Sequence, residues 1–251
     1  MRGRRPATAV RGLAAALCCA AGFALAPAAG AGGLQLTPTQ LTLSARSQAD
    51  GLWLINGGDR PLQAQVRVFR WVQTDGEERF EPGRALAVSP PMLELAPGAR
   101  QLVRVIRLGP PPAEEESYRL IVDELPPAEG ERKPGLQFVL RYSVPVFLAP
   151  AGDPAIAPAL SAQLRFETDR PSLELLNQGR RHAQVADLVF VDAQQRRHPI
   201  AAGLLGYALP GQRVRWPLNA PAELLRGPGT LKARINGEPT EQALALDPPA
   251  R

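Results

Sequence analysis

The chain has 251 residues, 21% of them charged and 45% hydrophobic, with a formal net charge of +5. Arg2, Arg4, Arg5 and Arg11 and both cysteines, Cys18 and Cys19, precede or lie within an apolar run from Leu13 to Leu25, which ends at the small residues Ala26, Ala28, Ala29 and Ala31. That order is the pattern of a cleavable secretory signal peptide over residues 1–31, and without it the charge falls to about +1 and no cysteine remains, which excludes a basic nucleic-acid surface and a disulfide scaffold.

The leader's apolar run is short of the roughly 20 residues that span a bilayer, and no later stretch approaches that length, so no membrane insertion is expected. Arg4 and Arg5 are followed at once by Pro6, which suits an ordinary basic start better than a twin-arginine signal.

From Leu34 onward the hydrophobic pattern has period two, the spacing that sends successive side chains to opposite faces of a strand. Leu34 to Thr37 and Leu41 to Leu43 alternate around Pro38, and Leu52 to Ile55 runs into the turn Asn56-Gly57-Gly58-Asp59. Ala64 to Trp71, Leu93 to Leu95, Gln101 to Arg107, Tyr118 to Leu125 and Leu136 to Leu148 follow, separated by turns such as Pro97-Gly98. Short strands punctuated by Pro and Gly read as a β-sandwich over residues 32–150.

Residues 151–159, rich in Ala, Pro and Gly, suit an extended linker. Beyond them, Leu160 to Phe166, Ser172 to Asn177, Ala183 to Val191, Ile200 to Leu209, Gln212 to Trp216 and Thr230 to Ile235 predict a second sandwich over residues 160–251. The expected fold class is all-β, with two β-sandwich domains. No stretch sustains a 3.6-residue stripe, so helix is expected to be minor.

Catalytic parts are scarce. His182 and His198 lie beside Arg180, Arg181, Arg196 and Arg197, which oppose a bound cation, and a surface role is expected for both. No nucleophile elbow, zinc-binding helix motif or phosphate-cradling glycine loop is present. No enzyme activity, cofactor or metal site is therefore expected. Trp53, Trp71 and Trp216 read as core aromatics.

A set of short motifs, in order, carries a resemblance. They are Pro38-Thr39 with Leu41 and Leu43, Leu54 with Asn56, Gln65-Val66 with Trp71, Val88-Ser89-Pro90-Pro91, Leu95 with Pro97-Gly98, Gln101 with Val103-Arg104, Tyr118-Arg119-Leu120 with Glu124 and Pro126, and Val146-Phe147 with Pro150. The sequence resembles the PapD-like periplasmic chaperones of the chaperone–usher pilus pathway, and within them an archaic branch. The C-terminal half adds only its β pattern and Leu175 with Asn177 and Gly179.

The resemblance implies two immunoglobulin-like domains set in a boomerang, export to the periplasm, and two partners, pilin subunits and an outer-membrane usher. It implies that an edge strand is lent to a subunit's unfinished sandwich, with Leu136, Phe138, Leu140 and Tyr142 as its donor side chains. Such an edge invites aggregation, which points to self-capping homo-oligomers or a short-lived free form. Pro90 and Pro91 fall where the family docks on the usher.

The family's usual arginine and lysine for a subunit's terminal carboxylate read here as Gln40 and Pro145, neither of them a cation. Arg104, Arg119 and Arg141 are the alternative anchors, with Arg104 preferred. A different class remains open, an exported two-domain adhesin or structural pilus component. Against it, the first strand begins almost at once after the leader, leaving no N-terminal donor extension.

Overall fold

The computed structural model describes residues 33–126, 138–152, 157–166 and 170–246. The leader, Leu136 and the lead-in to the donor segment lie outside the described residues. Seventeen strands and one short helix make up the rest. Among the described residues no helix is long and apolar enough to cross a membrane.

The first ten strands are β1 (Leu34–Thr37), β2 (Leu41–Leu43), β3 (Ala49–Asn56), β4 (Leu62–Thr74), β5 (Glu77–Pro82), β6 (Leu86–Ser89), β7 (Met92–Leu95), β8 (Arg100–Arg107), β9 (Glu116–Leu125) and β10 (Arg141–Leu148). They form two facing sheets, one in the order β1-β3-β8-β6 and the other β2-β10-β9-β4-β5, with β7 also on β4. Alternation explains the core between them. In β3 the buried residues are Leu52, Leu54 and Asn56, and in β8 they include Val103 and Val105, while the residues between these face outward.

Two segments switch sheets at prolines. Thr37-Pro38 is a cis peptide between β1 and β2, and Ser89-Pro90 is another between β6 and β7. The β4–β5 hairpin turns on Asp75-Gly76, both at positive φ (58° and 83°), as a two-residue hairpin loop requires.

The remaining elements are β11 (Leu160–Arg165), β12 (Ser172–Asn177), β13 (Ala183–Asp192), β14 (Arg197–Ala208), β15 (Arg213–Pro217), α1 (Ala222–Arg226), β16 (Gly229–Ile235) and β17 (Gln242–Ala243). They make a second sandwich from the sheets β11-β12-β15 and β14-β13-β16-β17 around Leu173, Leu175, Val185, Leu188, Phe190 and Leu231.

A third apolar cluster joins the two sandwiches. Trp71 of β4 and Phe147 of β10 pack with Tyr207 of β14 and Leu209 just after it, and Trp71 meets Tyr207 edge-on at 5.4 Å between ring centres. Polar contacts surround the cluster. The Gln73 side chain donates to Tyr207 O (2.6 Å) and accepts from Leu209 N (2.9 Å), and Arg215 N donates to Gly76 O (3.0 Å).

Candidate functional site

Every second residue of β10, Tyr142, Val144, Val146 and Leu148, enters the core of the first sandwich, while Phe147 on the opposite face goes to the domain junction. Extended backward, the core-facing register reaches Leu140 and Phe138, which have left the sandwich. Phe138 is 78% exposed and Leu140 38% exposed, with Val139 between them at 49%. Strand β10 begins only at Arg141, although one ladder bond continues past it, from Glu124 N to Leu140 O (2.8 Å).

The other edge of this segment is open. Strand β2 pairs with β10 only through Val146, Phe147 and Leu148, so among the described residues no strand covers the outer side of Arg141 to Pro145. An open edge carrying exposed apolar side chains at alternate positions is a template for another strand.

Tyr142 differs from its expected role. Its hydroxyl donates to Leu34 O (2.6 Å) and its ring packs on the first core, so it serves its own sandwich.

The three candidate arginines separate by sheet. Arg104 lies on β8, opposite Gly51 and Ser89, exposed on the sheet that does not contain β10. Arg141 is 70% exposed and bonded to Asp123, which also binds Arg67 at 2.6 Å. Arg119 sits on β9 directly opposite Pro145, its side chain only 12% exposed at the domain junction. Its guanidinium carbon stacks 3.6 Å from the Trp71 ring centre and 5.4 Å from that of Tyr207. Gln40 is at the same junction, accepting from the Tyr207 hydroxyl (3.3 Å). The geometry thus turns the preference from Arg104 to Arg119.

The polar partners of Arg119 are few. Its Nη1 reaches Ser143 O at 3.5 Å, its Nη2 is 3.8 Å from Glu78 Oε2, and its Nε is buried with no hydrogen-bond partner. Burial lowers the Arg119 pKa, and the charges of Glu78 and Tyr207 pull it back up. A buried guanidinium with donors this poorly satisfied is a ready site for an anion. Sequence reading missed Glu78. Its signal was Asp75-Gly76, the hairpin dipeptide that returns the chain and sets Glu78 opposite Gln73.

Other expectations are corrected. His182 is not a surface residue: it is 7% exposed, its ring stacked 3.5 Å over Phe147 and its Nδ1 2.8 Å from Glu115 Oε1. That carboxylate, fully buried, also pairs with Arg181 at 2.8 Å, so the cluster ties the two sandwiches together. His198 bonds Asp192 (3.0 Å) within the β13–β14 hairpin. Trp71 packs in the junction instead of a domain core, and Trp53 is 37% exposed on the outer face of β3, under Arg100. Pro90 and Pro91 form the corner between β6 and β7, where Pro91 O accepts from Val66 N (2.8 Å) and Met92 is 49% exposed.

Residues 33–153 match the family model described as "Pili and flagellar-assembly chaperone, PapD N-terminal domain". The chain carries a PapD N-terminal domain. No curated protein matches the chain at a significant level.

Among solved structures, this chain is similar to one from the CsuC–CsuE chaperone–tip adhesion subunit pre-assembly complex of the archaic chaperone–usher Csu pili of Acinetobacter baumannii. The two share 23% identity and a TM-score of 0.66, over 85% of this chain and 97% of that one. The Salmonella enterica SafA pilin–SafB chaperone complex matches at 19% identity and TM-score 0.59, covering 85% and 96%. The Escherichia coli chaperone DraB matches at 21% and 0.57, covering 86% and 97%. The shared fold covers both sandwiches.

Proposed function

We propose that this PapD-like protein is a periplasmic pilus-assembly chaperone, exported by the leader at residues 1–31, that caps pilin subunits by lending them the strand running into β10 and hands them to an outer-membrane usher. The observation that carries the reading is the open edge of β10 with Phe138 and Leu140 exposed beyond it. One face of one strand then serves two cores. Val144, Val146 and Leu148 fill the chaperone's own sandwich, and Leu140, Phe138 and Leu136 fill the subunit's.

Arg119 is the anchor for the subunit's terminal carboxylate. It stands directly opposite Pro145, where the resemblance led to the expectation of a lysine, and shares Tyr207 with Gln40, where an arginine was expected. Pro90 and Pro91 present a rigid corner to the usher. The reading is of a binding protein and not an enzyme, and it needs no cofactor or metal.

Co-expression with a pilin-like subunit encoded beside this gene tests it. Phe138→Asp and Leu140→Asp each place a charge in what becomes a dry groove, so each is expected to lower recovered complex at least tenfold, while the free chaperone folds as before. Undiminished complex with both variants would exclude strand donation.

A further inference from the structure

We propose that Glu78 is an internal competitor for Arg119, seated in the free protein against the guanidinium that a subunit's terminal carboxylate has to reach. The inference rests on the reading of Arg119 as that anchor and adds a residue that sets its affinity.

The two side chains come from different strands of one sheet face. Arg119 lies opposite Phe69 of β4, and Glu78, on the edge strand β5, lies opposite Gln73. Between them stands Trp71, which pairs with Phe80 and whose ring carries the guanidinium. Glu78 therefore approaches Arg119 from the β5 side of the junction and is the more exposed of the two, its side chain 36% exposed against 12% for Arg119.

The contact is loose. At 3.8 Å it exceeds hydrogen-bonding distance, whereas Arg181–Glu115 and Arg70–Glu116 each close to 2.8 Å. Burial raises the Glu78 pKa, and Arg119 offsets this only in part, so its charged form is disfavoured in this seat. A buried cation without any counter-charge is costly, which gives Glu78 a purpose in the free state. A carboxylate arriving from a subunit would supply the same charge to the guanidinium, and Glu78, the more exposed partner, can swing into water.

The test uses the full exported chain and an N-acetylated hexapeptide of alternating valine and threonine, as the free acid and as the C-terminal amide, with binding measured by calorimetry. The parent should prefer the acid, and Glu78→Gln should bind the acid about threefold to tenfold more tightly, the scale of a partly exposed ion pair, with the amide unchanged. Glu81→Gln, which removes an exposed acid from the same strand, should leave both peptides at parent affinity. Arg119→Gln should abolish the acid preference with or without Glu78.

Unchanged or weaker acid binding by Glu78→Gln, with the Arg119-dependent preference intact, overturns the competitor and leaves the anchor standing. Equal tightening by Glu81→Gln also overturns it, by reducing the effect to general charge. Loss of the acid preference in the parent, or its survival in Arg119→Gln, overturns the anchor itself.

Discussion

Asn56 and Asn177 make the same three hydrogen bonds in the two sandwiches. Asn56 Nδ2 donates to Arg60 O (2.6 Å) and Leu95 O (2.9 Å) while Oδ1 accepts from Gly58 N (2.9 Å). Asn177 Nδ2 donates to Arg181 O (2.7 Å) and Ala208 O (2.9 Å), and its Oδ1 accepts from Gly179 N (2.9 Å). Each side chain ends a strand, β3 or β12, and pins the loop that follows to a distant segment. The motif that supports the resemblance at Leu54 and Asn56, repeated at Leu175 and Asn177, is therefore a structural latch. Asn56 is 1% exposed, so Asn56→Ala takes the amide donor from the buried Leu95 carbonyl and leaves the Gly58 N–H and Arg60 O without their side-chain partner. A loss of roughly 3 kcal/mol in urea unfolding is expected. A loss below about 1 kcal/mol, the net value of one ordinary bond, would mean that water replaces the amide.

At the scale of elements, period-two alternation made most strands legible, because half-buried strands write their inner face directly into sequence. The spacing reads the same on either sheet, however. Arg104 and Arg119 both alternate with buried residues on their strands, and nothing local says that β8 pairs with β3 whereas β9 pairs with β10. Sheet membership is a long-range property, and it decides which arginine meets the junction. Strand β5 escaped notice for another reason: exposed at every residue, Glu77–Pro82 has no apolar alternation. Strand β12 carries a buried charge that its pattern also hides. Glu174, its side chain 4% exposed, sits opposite Arg215 and binds Arg165, Arg213 and Arg215. Burial alone would raise its pKa, but hydrogen bonds from Arg215, Arg165 and Arg213 outweigh it and bring the value from 4.5 to about 2. A folded-state pKa below the unfolded one means stability that is full above pH 4.5 and is lost as pH falls toward 2. Glu174→Gln should be less stable at pH 7 and show a shallower loss of unfolding free energy between pH 5 and 2 in urea titrations. Parallel parent and variant profiles across that window would remove Glu174 from the acid response.

For the whole molecule, the decisive feature is that the exposed Phe138 and the junction residue Arg119 lie on opposite faces of one strand pair. The core-facing register of β10 leads out to Phe138, and its other face leads through Pro145 and Phe147 to Arg119 and the second sandwich. On the proposed function, a subunit gripped at both points is held in one register only while the two sandwiches keep a fixed relation. Interfaces between domains of one chain are often polar and mobile, but this one buries Trp71, Phe147, Tyr207 and Leu209 and the Glu115 carboxylate. Gln73 is its central polar link, since its amide bonds the backbone of both Tyr207 and Leu209 and its own backbone N–H binds Gln212. Truncation to alanine removes both side-chain bonds and leaves the buried Leu209 N–H and Tyr207 carbonyl unpaired, which costs about 2 kcal/mol or more at the joint and little within either core. The parent is expected to melt in one calorimetric transition and Gln73→Ala in two, because only the coupling between sandwiches is weakened. A single, unshifted transition in Gln73→Ala would mean that the aromatic cluster and the Glu115 pairs hold the joint without it.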